Sequence, residues 1–189
     1  MQRCGWAGPE QIYLDYHDTD WGVPEYNSRA LWEKLILDGF QAGLSWITIL
    51  KKRENFRVAF ADFDPDIVAG WGEVDVARLL ENPGIIRHRG KIEATLHNAR
   101  VYQDIEAAQG FDTFLWEYVD GRPVQNSFAV QSDVPAQTEL SQRISKDLKD
   151  RGFKFCGPTI VYAFMQAVGM VNDHLTTCHR YEEIAAMGR

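Results

Sequence analysis

Apolar side chains recur along this chain at the three- and four-residue spacing of one helical face, and nowhere in the sustained alternation of a strand. Ile12, Tyr13 and Tyr16 mark a short helix over 9–17 opened by Pro9, and Gly22 and Pro24 break the chain after it. Leu31, Leu35 and Ile36 mark the next, capped by Asn27 or Ser28 and running to about Gly39. Gly39 and Gly43 interrupt the pattern before a helix over 44–50. Helical spacing resumes over 58–63, and Asp64 caps a helix that Pro65 opens. Val76, Leu79 and Leu80 predict a helix over 75–81, ended by Asn82-Pro83-Gly84. Ile92, Leu96, Ala99 and Tyr102 predict a long amphipathic helix over 85–109, with another over 111–118. A turn at 120–123 leads into a polar, irregular loop over 124–136. Last come a helix over 138–150 (Leu140, Ile144, Leu148) and a strongly apolar one from Pro158 to Val168, joined by a tight connection at 151–157. The fold class predicted is all-α, in a single domain over 1–189.

Composition narrows the class. An apolar fraction of 45%, with six Trp and ten Phe, supplies a packed interior and excludes a disordered chain. No apolar run approaches the roughly 20 residues of a membrane helix. The start, Met1-Gln2-Arg3-Cys4-Gly5-Trp6, carries no signal-peptide core, so a cytoplasmic protein without a membrane partner is expected. Cys4, Cys156 and Cys178 cannot all pair, which favours metal over disulfide. The net charge of −7 by itself argues against nucleic acid. The basic residues nevertheless cluster in three knots, at 51–53, 87–91 and 149–154. Such knots read equally as a phosphate-binding face or as solvated helix ends.

Two sets of residues carry candidate chemistry. Cys4 and His17 near the start, with His174 and Cys178 near the end, suit one tetrahedral Zn²⁺. His174 and Cys178 are four apart and are predicted to share a helical face, one turn from each other. Four protein ligands leave no position open for water, so the ion would be structural and would join the two chain ends. Among and just after the N-terminal ligands lie Trp6, Tyr13, Tyr16, Trp21, Asp38 and Trp46. Any one of these rings is more often core than site. Asp38 is different, because an unpaired carboxylate in an apolar helix is costly. Beside aromatic faces it suits a flat cation, which the rings stack on and the carboxylate pairs with. In the segment 138–168, Gly152 and Gly157 expose backbone amides ahead of the second helix, an anion site for a DNA phosphate if it is more than an ordinary helical hairpin.

Taken together, the motifs resemble one family. Cys4-Gly5-Trp6, Tyr16-His17-Asp18, Asp20-Trp21-Gly22-Val23-Pro24, Gln41-Ala42-Gly43-Leu44-Ser45-Trp46-Ile47-Thr48, Gly84-Ile85-Ile86-Arg87-His88-Arg89-Gly90-Lys91, Arg151-Gly152-Phe153-Lys154-Phe155-Cys156-Gly157-Pro158 and Val171-Asn172-Asp173-His174 are similar to the 3-methyladenine DNA glycosylase I family of the helix-hairpin-helix superfamily. The resemblance spans nearly the whole chain and is weakest near 121–137 and in the last ten residues. It implies a bacterial base-excision repair enzyme that flips 3-methyladenine from alkylated duplex DNA and hydrolyses its glycosidic bond. It implies one structural zinc on Cys4, His17, His174 and Cys178. It implies a base pocket of Trp6, Tyr13, Tyr16, Trp21 and Trp46, with Asp38, Tyr16 and Trp46 acting on the base. The family commonly has Glu where this chain has Asp38, whose oxygens sit ~1.5 Å further back. DNA contacts are expected from Lys51, Arg87, Arg89, Lys91, Gly152, Lys154 and Gly157, in a protein acting as a monomer. Asp173 is read as orienting the metal shell rather than as a catalytic acid, and Leu44 as core in preference to filling the gap left by a flipped base. Two other readings stay open: a glycosylase for another alkylated base, and a non-catalytic zinc-containing domain that binds damaged DNA.

Overall fold

The computed structural model describes residues 1–187, and most of them are helical. Helix α1 (Gln11–Thr19) and α2 (Ser28–Gln41) come first, followed by the short α3 (Trp46–Leu50) and α4 (Arg53–Ala59). Asn27 caps α2 by accepting from the Ala30 amide at 3.0 Å. Asp64 caps α5 (Pro65–Ala69) in the same way, and α6 (Glu73–Glu81) follows. The central helix α7 (Arg89–Gln109) is buried along most of its length, with α2, α5, α6 and the short α8 (Phe111–Trp116) packed around it. The C-terminal part holds α9 (Glu139–Asp150), α10 (Pro158–Ala167) and α11 (Tyr181–Met187). One apolar cluster runs through these elements from Cys4 to Cys178. Among the described residues, no helix is long and apolar enough to cross a membrane.

The structure departs from the expected elements in places that local spacing does not govern. Residues 85–88 are not helical. α7 begins only at Arg89, where the His88 ring accepts from the Lys91 amide at 3.2 Å and acts as the cap. Residues 61–63 turn left-handed instead of continuing a helix. The loop over 124–136 is not wholly irregular, because β1 (Val124–Gln125) pairs in parallel with β2 (Val171–Asn172). Asn172 fixes that pair by donating to Gln125 Oε1 at 2.9 Å and to the Tyr181 carbonyl at 3.1 Å.

Two local devices position the site. The loop between α9 and α10 is held by α7. Asn98 donates to the Lys154 carbonyl at 2.9 Å and accepts from its amide at 2.8 Å, while His97 bonds the Gly152 carbonyl at 2.9 Å. Gly169, at φ +70°, ends α10 where the segment 22–24 crosses it. A Cβ there would stand 2.6 Å from the Gly22 carbonyl oxygen and the Pro24 nitrogen, so only glycine fits. That crossing carries Trp21 into the space between the two chain ends.

Candidate active site and metal centre

Helix α1 serves two clusters with consecutive residues. His17 turns to one side, fully buried, and meets Cys4, His174 and Cys178 there. The four ligand atoms lie within 4.8 Å of one another. Cys4 Sγ is 3.6 Å from His174 Nδ1, and Cys178 Sγ is 3.5 Å from both His174 Nδ1 and His17 Nε2. Sulfur and nitrogen on a tetrahedral Zn²⁺ stand about 3.6 Å apart, given bonds of about 2.3 and 2.0 Å, so the set is spaced to hold such an ion. The outward ring nitrogens are also held: His17 Nδ1 by Asp18 at 2.7 Å and His174 Nε2 by the Trp21 carbonyl at 3.1 Å. Arg3 clamps Asp18 through contacts of 2.6 and 2.9 Å and, with a smaller contribution from His17, holds its carboxyl well below the ordinary range. The neighbouring Cys178 thiol and burial push Cys4 up, while the Cys4 thiol, His17 and His174 pull Cys178 down, and a bound dication would favour both thiolates. His174 and Cys178 are not on a helix, contrary to expectation. Both lie in the turns after β2, where the fold rather than helical period brings them together.

Tyr16 turns to the other side and faces a cavity of about 230 Å³ lined by Trp6, Tyr13, Trp21, Trp46 and Asp38. That volume is below the range of drug-sized ligand sites and suits one base. Trp6 stands 4.9 Å from Trp21 and 5.1 Å from Tyr13 between ring centroids, while Tyr16 and Trp46 are 5.4 Å apart. All six residues expected at the pocket are therefore in one place. Burial raises the phenols of Tyr13 and Tyr16, the latter with help from the Asp38 charge, so both stay neutral donors. Asp38 is 2% exposed and its Oδ2 has no partner; the indole Nε1 of Trp46 is likewise buried and unpaired. Buried polar atoms left without partners are costly, and both of these belong to residues that line the cavity.

Sequence reasoning missed several lining residues. Lys34 lies one turn before Asp38 on α2 and pairs with its Oδ1 at 2.6 Å. The i,i+4 spacing was there to find it. Asp173, expected to orient the metal shell, instead lines this cavity, and it accepts from Tyr162 at 2.6 Å, Gln166 at 2.8 Å and Asn126 at 2.7 Å. Gln131 and Val134 reach the cavity from a loop that no local pattern assigns to it. Leu44 is not core: it is 41% exposed and lines a cleft beside the cavity, shared with Asp38 and Ala163.

The expected DNA contacts divide. Arg87 and Lys154 are exposed, and among the described residues neither takes part in an ion pair. Lys51 pairs with Glu10, and Arg89 with Glu73 and Glu93, at exposed positions where such pairs exchange readily. The Lys91 ammonium is turned inward, onto the carbonyls of Phe40 at 2.8 Å and Ala42 at 2.7 Å, and so caps the C-terminal end of α2. Gly152 and Gly157 flank the loop pinned by Asn98.

The profile of the methyladenine glycosylase family matches residues 6–181. The chain is 51% identical over 182 residues to the DNA-3-methyladenine glycosylase 1 of Escherichia coli (strain K12), covering 96% of this chain and 97% of the relative. A crystal structure of a 3-methyladenine DNA glycosylase I superposes with a TM-score of 0.93 at 52% identity, over 94% of this chain and 98% of that one. Another, of a variant of such an enzyme in complex with 3-methyladenine, superposes with a TM-score of 0.92 at 42% identity, over 96% of this chain and 98% of that one.

Proposed function

The chain belongs to the methyladenine glycosylase family, and we propose that it excises 3-methyladenine from alkylated double-stranded DNA, hydrolysing the N-glycosyl bond and leaving an abasic site. The observation that carries this reading is Asp38, a buried carboxylate with one oxygen unpartnered, among the residues lining a ring-walled cavity sized for one base. Methylation at N3 gives adenine a positive charge. Its bond to C1′ is thereby weakened, and the base departs neutral without being protonated. Water adds to C1′ as the bond to N9 breaks, and the water gives up a proton. The protein's task is to take the base out of the stack, at a cost of a few kcal/mol, and to hold it where bond breakage is favoured. Tyr16 and Trp46 stack on the ring, Asp38 Oδ2 accepts from its exocyclic amine, and Trp6, Tyr13 and Trp21 close the sides.

On the DNA side, α9, the loop 151–157 and α10 act as a helix-hairpin-helix. The amides around Gly152 and Gly157, with Lys154, hold one phosphate. Arg87, Arg89 and Lys51 add charge along the backbone, while Lys91 serves by shaping the 41–45 turn. Leu44, exposed on that turn, fills the gap left by the flipped base. Cys4, His17, His174 and Cys178 would hold one zinc ion, which would tie the chain ends together and, with four protein ligands, would serve structure and not the chemistry. The protein works as a single domain, a reading supported by the one continuous core, and as a monomer in the bacterial cytoplasm.

Base release from duplexes carrying 3-methyladenine, 7-methylguanine or hypoxanthine tests the proposal. Release of the first alone is expected. Release of another base instead would make it a glycosylase of different range, and tight binding with no release would make it a damage-binding domain.

A further inference from the structure

The cage already contains a cation, and it is the chain's own. Lys34 Nζ stands 3.8 Å from the centroid of the Trp46 ring and 2.6 Å from Asp38 Oδ1. A ring face and a carboxylate are the two elements that the proposed function assigns to a cationic purine. Lys34 also lines a second cavity, of about 290 Å³, which shares Tyr16 and Trp46 with the first. Apart from Lys34 itself, that cavity holds Asp20, Glu25 and Glu33 against Arg53 and Arg57; Arg53 pairs with Asp20 at 2.7 Å and Arg57 with Glu33 at 2.8 Å, which leaves Glu25 as the carboxylate without an arginine. Lys34 thus sits in the partition between two spaces, on a flexible four-carbon stem.

We propose that Lys34 is an internal stand-in for the cationic base, occupying the Trp46 face and neutralising Asp38 until a positively charged purine displaces it into the neighbouring acidic cavity. This rests on the reading of the cage given above. Two cations on one ring face and one carboxylate would repel in a site with little water, so entry of the base and departure of the ammonium go together. A neutral adenine gains no such exchange. If it pushed Lys34 aside, Asp38 would be left buried and unpaired, which is heavily penalised. Discrimination then comes from a charge that the entrant must bring, and shape contributes less. Lys34 is a specificity-determining, positioning residue.

The charged and titratable groups around it fit this role. Asp38 and Glu33 face it from its own helix, Tyr16 from α1, Asp20 and Glu25 from the segment beyond, and Arg53 and Arg57 from α4. Burial drives Lys34 down and Asp38 up, each toward neutrality, and the charge of each opposes that shift in the other.

The test uses the full chain and a permanently charged probe, 3,9-dimethyladeninium, titrated calorimetrically between pH 6 and 8 against the wild type and Lys34→Met. For the wild type, affinity that is flat with pH is expected. Lys34→Met should bind the cation roughly tenfold more tightly at pH 8, the size of one partly desolvated cation–π contact, and lose that gain on acidification as the unpaired Asp38 takes up a proton. Equal affinity and equal pH profiles in the two proteins would overturn the exchange while leaving the cage intact. Failure of both proteins to bind the cation would overturn the cage reading itself, and the exchange with it. Should Lys34→Met not fold, reductive methylation of the wild type decides: Lys34 must become more reactive when 3,9-dimethyladeninium is bound, and unchanged or reduced labelling refutes the proposal.

Discussion

Tyr16 and His17 are neighbours on α1, yet they belong to clusters of opposite character. Around His17 the buried polar atoms close on each other: two sulfurs and two ring nitrogens within 4.8 Å, and outward nitrogens held by Asp18 and the Trp21 carbonyl. Around Tyr16 the cluster is left open, with Asp38 Oδ2 and Trp46 Nε1 buried and unpaired. A closed polar cluster contributes to folding because everything it needs is supplied within it or by one ion. An open one costs stability until a ligand completes it. Trp21 belongs to both, lining the cavity while its ring stands 4.6 Å from that of His174.

The comparison breaks most readily at the closed cluster. Cys178→Ser, or metal chelation, is expected to cost about 4 kcal/mol or more, lowering Tm by roughly 10 °C. Base release measured well below the lowered Tm should be unchanged. If release stops while a thermal melt shows the fold intact, the ion is catalytic and the contrast fails. Trp21→Ala, at the junction, should cost about 3 kcal/mol by calorimetry and slow base release as well; loss of only one property would mean the clusters are independent. Asp38→Asn touches the open cluster alone. It removes a charge-assisted hydrogen bond worth about 2 kcal/mol, so single-turnover excision should slow roughly thirtyfold. The smallest effect is expected at Asp18. Its carboxyl is depressed by Arg3, so its stabilising contribution is present above the ordinary value of about 4 and is lost as pH falls toward the depressed one. Melts of Asp18→Asn and wild type should differ at pH 7 and draw together only as the pH is lowered below about 4.

Helical spacing carried the identity of most elements, because burial of one face repeats locally. α2, α5, α9 and α10 lie near where their caps and apolar positions put them, with Asn27, Asp64 and Thr138 as N-caps. Residue type alone nominated both clusters as well. Thiols, imidazoles and a carboxylate amid rings are too costly to bury without purpose, and the structure gathers the nominated residues in two places. Helical period did not reach the route by which they meet. His174 and Cys178 converge in turns, Asp173 lines the cage, and Lys91 points inward to helix carbonyls.

From its residues alone, this sequence determined which groups need a partner, since the cost of burying a charge or a polar atom belongs to the side chain itself. Which partner each one found was decided only in three dimensions. The crossing at Gly169 and the loop clasped by Asn98 are contacts between segments far apart in the chain, and no local preference encodes them. The pairing of Asp38 is likewise a tertiary outcome: one oxygen has no partner while Lys34 takes the other.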